Sequence, residues 1–511
     1  MRPGPFSFAV VTLLSALAAL SPGGCARAGD APTVRVQSGE LSGAQREGVR
    51  LFAGIPYAQA PVGALRWRPP QAPGRWFATR DATSFGASCP QNPPPARTQP
   101  GAERTSEDCL TLNVWAPADS GAGHPVMVWI HGGGNTGGSG AGAFYDGTAF
   151  ARDGVVLVTL NYRLGVLGFF AHPALTAKAG AEPLGNYALM DQIAALQWIR
   201  HNIERFGGDP KNITVFGESA GALDILALMA TADAAQLFDR AIVESAPVSR
   251  GWRRLTEAEA YGVQVAARAG LTGAQATAPA LRHLPLEALS PAQGEFDAIG
   301  MGPIIDGRLL REPPLVAFAQ GRALHVPLII GTNGNEGSLL RNDARAEAAL
   351  ADTTPSQFAD YRAQYGGEAS DDGTFTRVLF RDAHFAAPAR WIAARQAGAA
   401  PTYLYRFDYV LSLLRAQRSG ANHASEIPYV FDSWMTPRLS ETDRNMTALL
   451  HACWIQFARS GAPSCAGVAQ WPAYQAGHDV LLVLGEQVAA GPPAHAELLD
   501  ALARRLLPPL P

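Results

Sequence analysis

The stretch ITVFGESAGALDILALM contains the side chain best placed to do chemistry. Gly217 and Gly221 flank Ser219 between an apolar run typical of a buried strand and a run typical of a helix. A sharp strand-to-helix turn would expose the serine hydroxyl as a nucleophile, and the helix N-terminus would favour negative charge developing on a substrate. Because G-x-S-x-G alone is a weak signal, a glycine-rich turn with an idle serine is the alternative.

Three consecutive glycines, residues 132–134, follow the apolar run VMVWI. Backbone amides can approach a substrate oxygen only where side chains are absent, so this loop is suited to binding an oxyanion. We expect the donors to be the N–H groups of Gly133, Gly134 and Ala220. A dinucleotide-binding loop fits less well, because G-x-G-x-x-A would begin only at Gly138 and the next strand ends in an asparagine.

A mostly parallel sheet must position these residues. Short apolar runs without polar alternation, separated by helical stretches, predict an α/β fold with helices on both faces of the sheet. The runs are VMVWI (126–130), VVLVTLN (155–161), ITVFG (213–217), AIVES (241–245), PLIIG (327–331), TYLYRFDY (402–409) and VLLVLG (480–485). The N-terminal runs VRVQSGELSG and VRLFAGIPYA indicate a small β-region before the main sheet.

A helix is predicted immediately before the strand that leads to Ser219. Apolar residues recur there at three- and four-residue spacing, and a glycine pair at 207–208 ends the pattern. These residues are Leu189, Ile193, Leu196, Ile199 and Ile203. The chain shows no internal repeat and no long linker, so residues 29–511 are expected to form a single domain.

Residues 1–28 have the pattern of a signal peptide, with Arg2 before an apolar run and a small-residue cleavage site ending at Ala28. We therefore expect export to the periplasm or the medium. A lipid anchor at Cys25 is the alternative, although Pro22 to Gly24 fit a lipoprotein signal poorly. No other apolar stretch reaches the length of a membrane span.

Four cysteines remain after residue 28, an even count that fits two disulfides in an oxidising compartment. Their order suggests pairing Cys89 with Cys109 and Cys453 with Cys465. Each bridge would close a short loop and contribute about 3 kcal/mol on the chain-entropy model. Four buried free thiols are the alternative.

Composition and charge exclude several other classes of protein. The chain has 511 residues, 47% of them hydrophobic and 17% charged, which suits a large buried core. Its 41 basic and 44 acidic side chains leave a formal charge of −3, so no nucleic-acid partner is expected. No cysteine and histidine spacing resembles a metal site, no P-loop occurs, and no metal or cofactor is expected.

Longer motifs carry a specific resemblance. The run FGG, four residues, then ITVFGESAG (206–221) is similar to the serine-site signature of the type-B carboxylesterases, the family that includes the cholinesterases. SEDCLTLNVW (106–115) resembles the family's second signature. Further matches are FAGIPYA (52–58), NYRLG (161–165), GNYALMDQ (185–192), PIIDG (303–307) and WIQFARSGAP (454–463). The resemblance covers the chain after residue 28 and implies the α/β-hydrolase fold of a bacterial para-nitrobenzyl-esterase-like member.

The resemblance also implies the rest of a catalytic triad. GTNGNEGSLL matches the family's acid loop and makes Glu336 the acid, and GANHASEIPYVF matches the histidine loop and makes His423 the base. An ordinary loop glutamate and a lone histidine are the plainer interpretations. The expected function is hydrolysis of small to medium carboxylic esters through an acyl-enzyme, with activity falling in mild acid as His423 gains a proton.

Three features depart from the family pattern. Asn135 and Thr136 stand where relatives carry aromatic residues, which predicts a more polar pocket wall. Asp224 either brings a second carboxylate near the triad or faces outward. The loop from Cys89 to Cys109 contains no aromatic residue, whereas in the cholinesterases this loop holds the tryptophan that binds choline, so choline esters are not expected substrates.

Two alternative functions stay open at this stage. A catalytically inactive cholinesterase-like binding protein is one, because the fold serves adhesion in relatives that have lost the serine. An amide or carbamate hydrolase using the same triad is the other.

Overall fold

The computed structural model describes Met1 and residues 31–95, 97–119, 121–248, 252–289, 302–340, 355–369, 371–465, 471–475 and 477–507. The signal peptide predicted for residues 1–28 and the possible anchor at Cys25 lie outside the described residues. From Pro32 onward the described residues belong to one compact unit.

Two sheets are formed by the described residues. Their strands are β1 (Thr33–Val36), β2 (Gly39–Ser42), β3 (Ala44–Arg46), β4 (Val49–Pro56), β5 (Arg80–Asp81), β6 (Thr111–Pro117), β7 (His124–Ile130), β8 (Val156–Leu160), β9 (Gly208–Glu218), β10 (Arg240–Glu244), β11 (Leu328–Asn333), β12 (Thr402–Phe407), β13 (Leu481–Leu484) and β14 (Val488–Gly491). The larger sheet has 11 strands in the order β14-β13-β12-β11-β10-β9-β7-β8-β6-β4-β3. The smaller one joins β1, β2 and β5.

The parallel part of the large sheet runs from β8 to β13, and its strands are those that the apolar runs predict. Antiparallel strands occur at both edges, with β14 on one side and β6, β4 and β3 on the other. The N-terminal β-region is therefore divided. β1 and β2 form a separate hairpin, but the VRLFAGIPYA run forms β4 and extends the main sheet.

Successive side chains of the central strands enter two different cores. In β7, Val128 belongs to one buried cluster, whereas its neighbours Met127 and Trp129 belong to the other. In β9, Val215 belongs to the same cluster as Val128, and Phe216 belongs to the other. Since successive side chains of a strand point to opposite faces, an uninterrupted apolar run is the signature of a strand buried on both faces.

Helices cover both faces of the large sheet, which confirms the α/β-hydrolase fold class. They are α1 (Thr148–Arg152), α2 (Gly165–Gly168), α3 (Pro173–Thr176), α4 (Tyr187–Asn202), α5 (Ala220–Met229), α6 (Leu255–Arg268), α7 (Ala278–Arg282), α8 (Pro314–Ala319), α9 (Pro355–Tyr365), α10 (Asp372–Arg381), α11 (Ala387–Gln396), α12 (Ile427–Phe431), α13 (Glu441–Ser460) and α14 (Ala496–Leu506). α4 and α5 pack into the first core, and α13 packs into the second. α4 is the helix predicted before Ser219, and the left-handed Gly207 (φ 95°) ends the turn that follows it.

Both expected disulfides are formed. Cys89 is bonded to Cys109 with a Cα–Cα distance of 5.0 Å, and Cys453 to Cys465 with 4.7 Å. Among the helices of the described segments, none combines the length and the hydropathy needed to cross a membrane.

Candidate active site

Ser219 lies in a strained turn at the carboxyl end of β9. Its φ is 56° and its ψ is −121°, a conformation that non-glycine residues rarely adopt. The Ser219 N–H donates to the carbonyl of Glu244 at the end of β10, at 2.9 Å, which fixes the turn to the neighbouring strand. A Cβ at Gly221 would lie 2.0 Å from the carbonyl oxygen of Ile130, so glycine is required where α5 begins. The hydroxyl is thereby held at the edge where the parallel strands end.

The triple-glycine loop lies directly beside this turn. A Cβ added at Gly132 would stand 3.1 Å from the Cβ of Ser219. Gly133 and Gly134 have φ values of 109° and 65°, which side chains disfavour, and a Cβ at Gly133 would meet the carbonyl oxygen of Gly137 at 2.2 Å. The loop is closed by the N–H of Gly137, which donates to the Gly133 carbonyl at 3.0 Å. The predicted oxyanion loop and the predicted nucleophile are therefore brought together.

His423 and Glu336 form a direct pair. Glu336 begins a 3₁₀ turn shortly after β11, is fully buried, and places Oε2 2.5 Å from Nδ1 of His423. The N–H of Asn333 donates to the other carboxylate oxygen at 2.7 Å, and the N–H of His423 donates to the Ser338 hydroxyl at 3.0 Å. These contacts fix both loops at the carboxyl edge of the sheet.

The second ring nitrogen of His423 faces a carboxylate that the sequence analysis did not single out. Nε2 lies 2.9 Å from Oε1 of Glu218, the residue before the serine, and no hydrogen bond joins the ring to the Ser219 hydroxyl within the described part of the chain. Burial alone would lower the pKa of His423, but the charges of Glu218 and Glu336 outweigh it and raise that pKa well above its ordinary value.

Two more carboxylates lie buried behind this pair. Glu244 accepts a hydrogen bond from the indole of Trp454 at 2.8 Å, and Glu426 accepts one from the amide of Asn333. Burial, with repulsion from neighbouring carboxylates, raises the pKa of Glu426 to about 8 and that of Glu244 well above its ordinary value. Their signal in the sequence is weak. Glu426 lies within the matched histidine motif, but nothing in the sequence distinguishes a buried glutamate from a surface one.

Asp224 forms a separate polar cluster behind the oxyanion loop. Its carboxylate is fully buried and accepts hydrogen bonds from Asn135 at 3.0 Å and from Gln192 at 2.6 Å. Burial raises the pKa of Asp224 to about 7, although both hydrogen bonds act in the opposite direction. The outward-facing alternative for Asp224 is therefore wrong. The polar wall expected from Asn135 is also wrong, because this side chain is fully buried and points to Asp224.

A cavity of about 650 Å³ opens beside His423. Its wall includes the aromatic side chains of Phe144, Tyr145, Tyr409, Tyr429 and Trp434. A concave, mostly apolar space next to the imidazole of His423 has the usual form of a small-molecule site.

Comparison with known proteins identifies the class. The family model described as "Carboxylesterase family" matches residues 30–376 and 364–497. A fumonisin B1 esterase of Sphingopyxis macrogoltabida is 36% identical over 89% of this chain and 86% of its own, and a para-nitrobenzyl esterase of Bacillus subtilis (strain 168) is 35% identical over 89% and 95%. A solved PNB esterase structure superimposes with a TM-score of 0.81 at 34% identity, covering 92% of this chain and 99% of that one.

The protein is a carboxylic-ester hydrolase with the α/β-hydrolase fold. It belongs to the carboxylesterase family, as the sequence motifs indicate.

Proposed function

We propose that Ser219, His423 and Glu336 form a catalytic triad that hydrolyses small to medium carboxylic esters through an acyl-enzyme. The observation that carries this proposal is the contact of 2.5 Å between Glu336 and Nδ1 of His423, beside a serine in a strained turn. A carboxylate on Nδ1 fixes the tautomer in which Nε2 is free to accept a proton.

In the proposed first step His423 takes the hydroxyl proton as Oγ of Ser219 attacks the ester carbonyl. The carbonyl oxygen becomes an oxyanion, which the N–H groups of Gly133, Gly134 and Ala220 stabilise. The tetrahedral intermediate expels the alkoxy group, which receives the proton from His423 and leaves as the alcohol. Water then attacks the acyl-enzyme by the same route and releases the acid.

Nε2 must serve Ser219 in this cycle, although it faces Glu218 in the structure. The proposed cycle therefore requires the imidazole to turn from Glu218 to Ser219, the next residue in the chain. Catalytic hydrogen bonds are often long or misaligned before substrate binds.

A fluorophosphonate probe tests the nucleophile. The wild type should react at Ser219 and lose hydrolysis of p-nitrophenyl acetate and butyrate, whereas Ser219→Ala should neither react nor turn over either ester. Ser460→Ala, at the exposed end of α13, is the matched control and should behave as the wild type. Retained activity in Ser219→Ala would reject the assignment.

Two other functions are compatible with the same geometry, and one panel separates them. A binding protein without catalysis would give no turnover of any ester. An amide or carbamate hydrolase would cleave p-nitroacetanilide or a p-nitrophenyl carbamate faster than the matched ester. We expect the ester to be the preferred substrate, because an alkoxide is the better leaving group.

We further propose that the protein is exported, as a periplasmic or secreted form, and acts on small-molecule esters there. Two disulfides support an oxidising compartment. N-terminal sequencing of the protein from its own host tests this. Cleavage after Ala28 is expected, and a lipid-modified Cys25 at the N-terminus would establish the anchored form instead.

A further inference from the structure

The cavity beside His423 carries positive charge. Apart from His423 and tyrosines, the ionisable residues that line it are Arg97 and Arg418, and its described lining contains no carboxylate. This local sign opposes that of the chain, whose formal charge is −3. A cleft of one sign with low-dielectric walls attracts ligands of the opposite sign.

Neither guanidinium is neutralised by a neighbour. Within the described segments, no ion pair or side-chain hydrogen bond is formed by Arg97 or Arg418. Arg415, three residues before Arg418, shows the contrast: it pairs with Glu486 at 2.8 Å and stacks over the ring of Tyr409. The guanidinium N–H groups of Arg97 and Arg418 are therefore available to donate hydrogen bonds to a ligand in the cavity.

The position of Arg97 is set by its backbone. Its carbonyl accepts a hydrogen bond from the N–H of Ala143 at 3.2 Å, and the adjacent Gln99 donates to the carbonyl of Ala141 at 2.7 Å. This segment lies within the Cys89–Cys109 loop. This loop contains no aromatic residue, and it contributes the positive charge of Arg97 to the cavity.

We propose that this cavity binds a carboxylate of the substrate, so that the preferred substrates are esters that also carry a free carboxylate group. Arg97 and Arg418 are the specificity-determining residues. The planar guanidinium fork matches the two oxygens of a carboxylate. This inference rests on the proposed esterase function, since it names the substrate class of the same site.

Matched ester pairs test the inference, one pair for each side of the ester bond. Mono(4-nitrophenyl) glutarate is compared with its methyl ester, and 4-acetoxybenzoate with methyl 4-acetoxybenzoate. The wild type should favour the anionic member of at least one pair by about five- to tenfold in kcat/KM, since exposed ion pairs are individually weak. This preference should shrink at an ionic strength of about 1 M, where the screening length is about 3 Å.

Arg97→Gln/Arg418→Gln should abolish the preference and keep kcat/KM for the neutral members within about twofold of the wild type. Arg418→Lys should retain part of the preference because it keeps the charge. Arg35→Gln/Arg46→Gln, at exposed arginines on β1 and β3, removes the same two charges elsewhere and should change nothing. Equal rates within both pairs in the wild type, or an undiminished preference in the double variant, would overturn the inference. If the wild type hydrolysed no neutral ester either, the esterase proposal itself would fail.

Discussion

Replacing Asp224 by asparagine should change how the stability of the protein depends on pH. The carboxylate is fully buried with two amide donors, Asn135 and Gln192, and burial raises its pKa to about 7 from an ordinary 3.8. In the folded protein Asp224 therefore keeps a proton that the unfolded chain releases near pH 4. The amide oxygens of Asn135 and Gln192 have no hydrogen-bond partner among the described residues, so a turn of either amide by about 180° would let it accept from a protonated carboxyl group.

The direction and the magnitude of the change in the free energy of unfolding follow from this difference in pKa. Between about pH 4 and pH 7 the folded state binds more protons than the unfolded state, so the free energy of unfolding falls as pH rises through that window. The difference between 7 and 3.8 corresponds to about 4 kcal/mol at about 1.4 kcal/mol per pH unit. Below pH 4 this contribution is fully present, and above pH 7 it is lost. Asp224→Asn cannot ionise and should not show the decline.

Urea unfolding of the wild type and of Asp224→Asn at pH 5 and pH 8 measures the effect. The variant should gain stability relative to the wild type between the two pH values by about 2.8 kcal/mol, because pH 5 to pH 7 covers two pH units of the window at about 1.4 kcal/mol each. Asp233→Asn, at an exposed position close by, controls for the loss of an acidic group and should show no such gain. The same difference between wild type and Asp224→Asn at both pH values would mean that the folded protein carries Asp224 charged, and the reasoning would be refuted.

Three further predictions concern the proposed catalytic groups. Glu218→Gln removes a charge 2.9 Å from Nε2 of His423, so the acid limb of kcat/KM should move to lower pH, and an unmoved limb would contradict this. Gly133→Ala places a Cβ 2.2 Å from a carbonyl oxygen and should lower kcat by about 10²–10³, whereas Gly123→Ala, also at positive φ but in open space, should leave kcat unchanged. Glu336→Gln keeps the shape but loses the charge on Nδ1, and kcat for p-nitrophenyl butyrate should fall by about 10⁴; a loss under tenfold would argue against the triad.

The sequence predicted the parallel strands well because each is buried on both faces. A run such as VMVWI has no polar position that could be mistaken for a turn or a solvent-facing side. The edge strands β3 and β14 have mostly exposed or half-exposed side chains, so they carry little apolar signal. The assignment of VRLFAGIPYA to the region before the main sheet was wrong for a related reason, since pairing partners far along the chain decide which sheet a strand joins.

The site was predictable where backbone conformation demands a residue type. The glycines around Ser219 and after β7 are required by positive φ or by close approach of the backbone. Such positions can be recognised from the glycines in the sequence. The pairing of Asp224 with Asn135 was not predictable. It joins side chains that are 89 positions apart in the chain. The sequence alone does not show whether an aspartate on a helix faces solvent or the interior.

The bridge between Cys89 and Cys109 gives the loop that carries Arg97 fixed ends, and the second cysteine stands two residues before β6. Gln91 in this loop exchanges two hydrogen bonds with Gly138, whereas the side chain of Arg97 forms none among the described residues. Arg97 can therefore be substituted without displacing any strand that supports Ser219, Glu336 or His423. Arg97, one of the two residues proposed to select the substrate, therefore lies on a different part of the chain from the groups proposed to cleave the bond. Substitution at this one position is accordingly a route by which the preference for charged over neutral esters can be changed while the catalytic groups stay as they are.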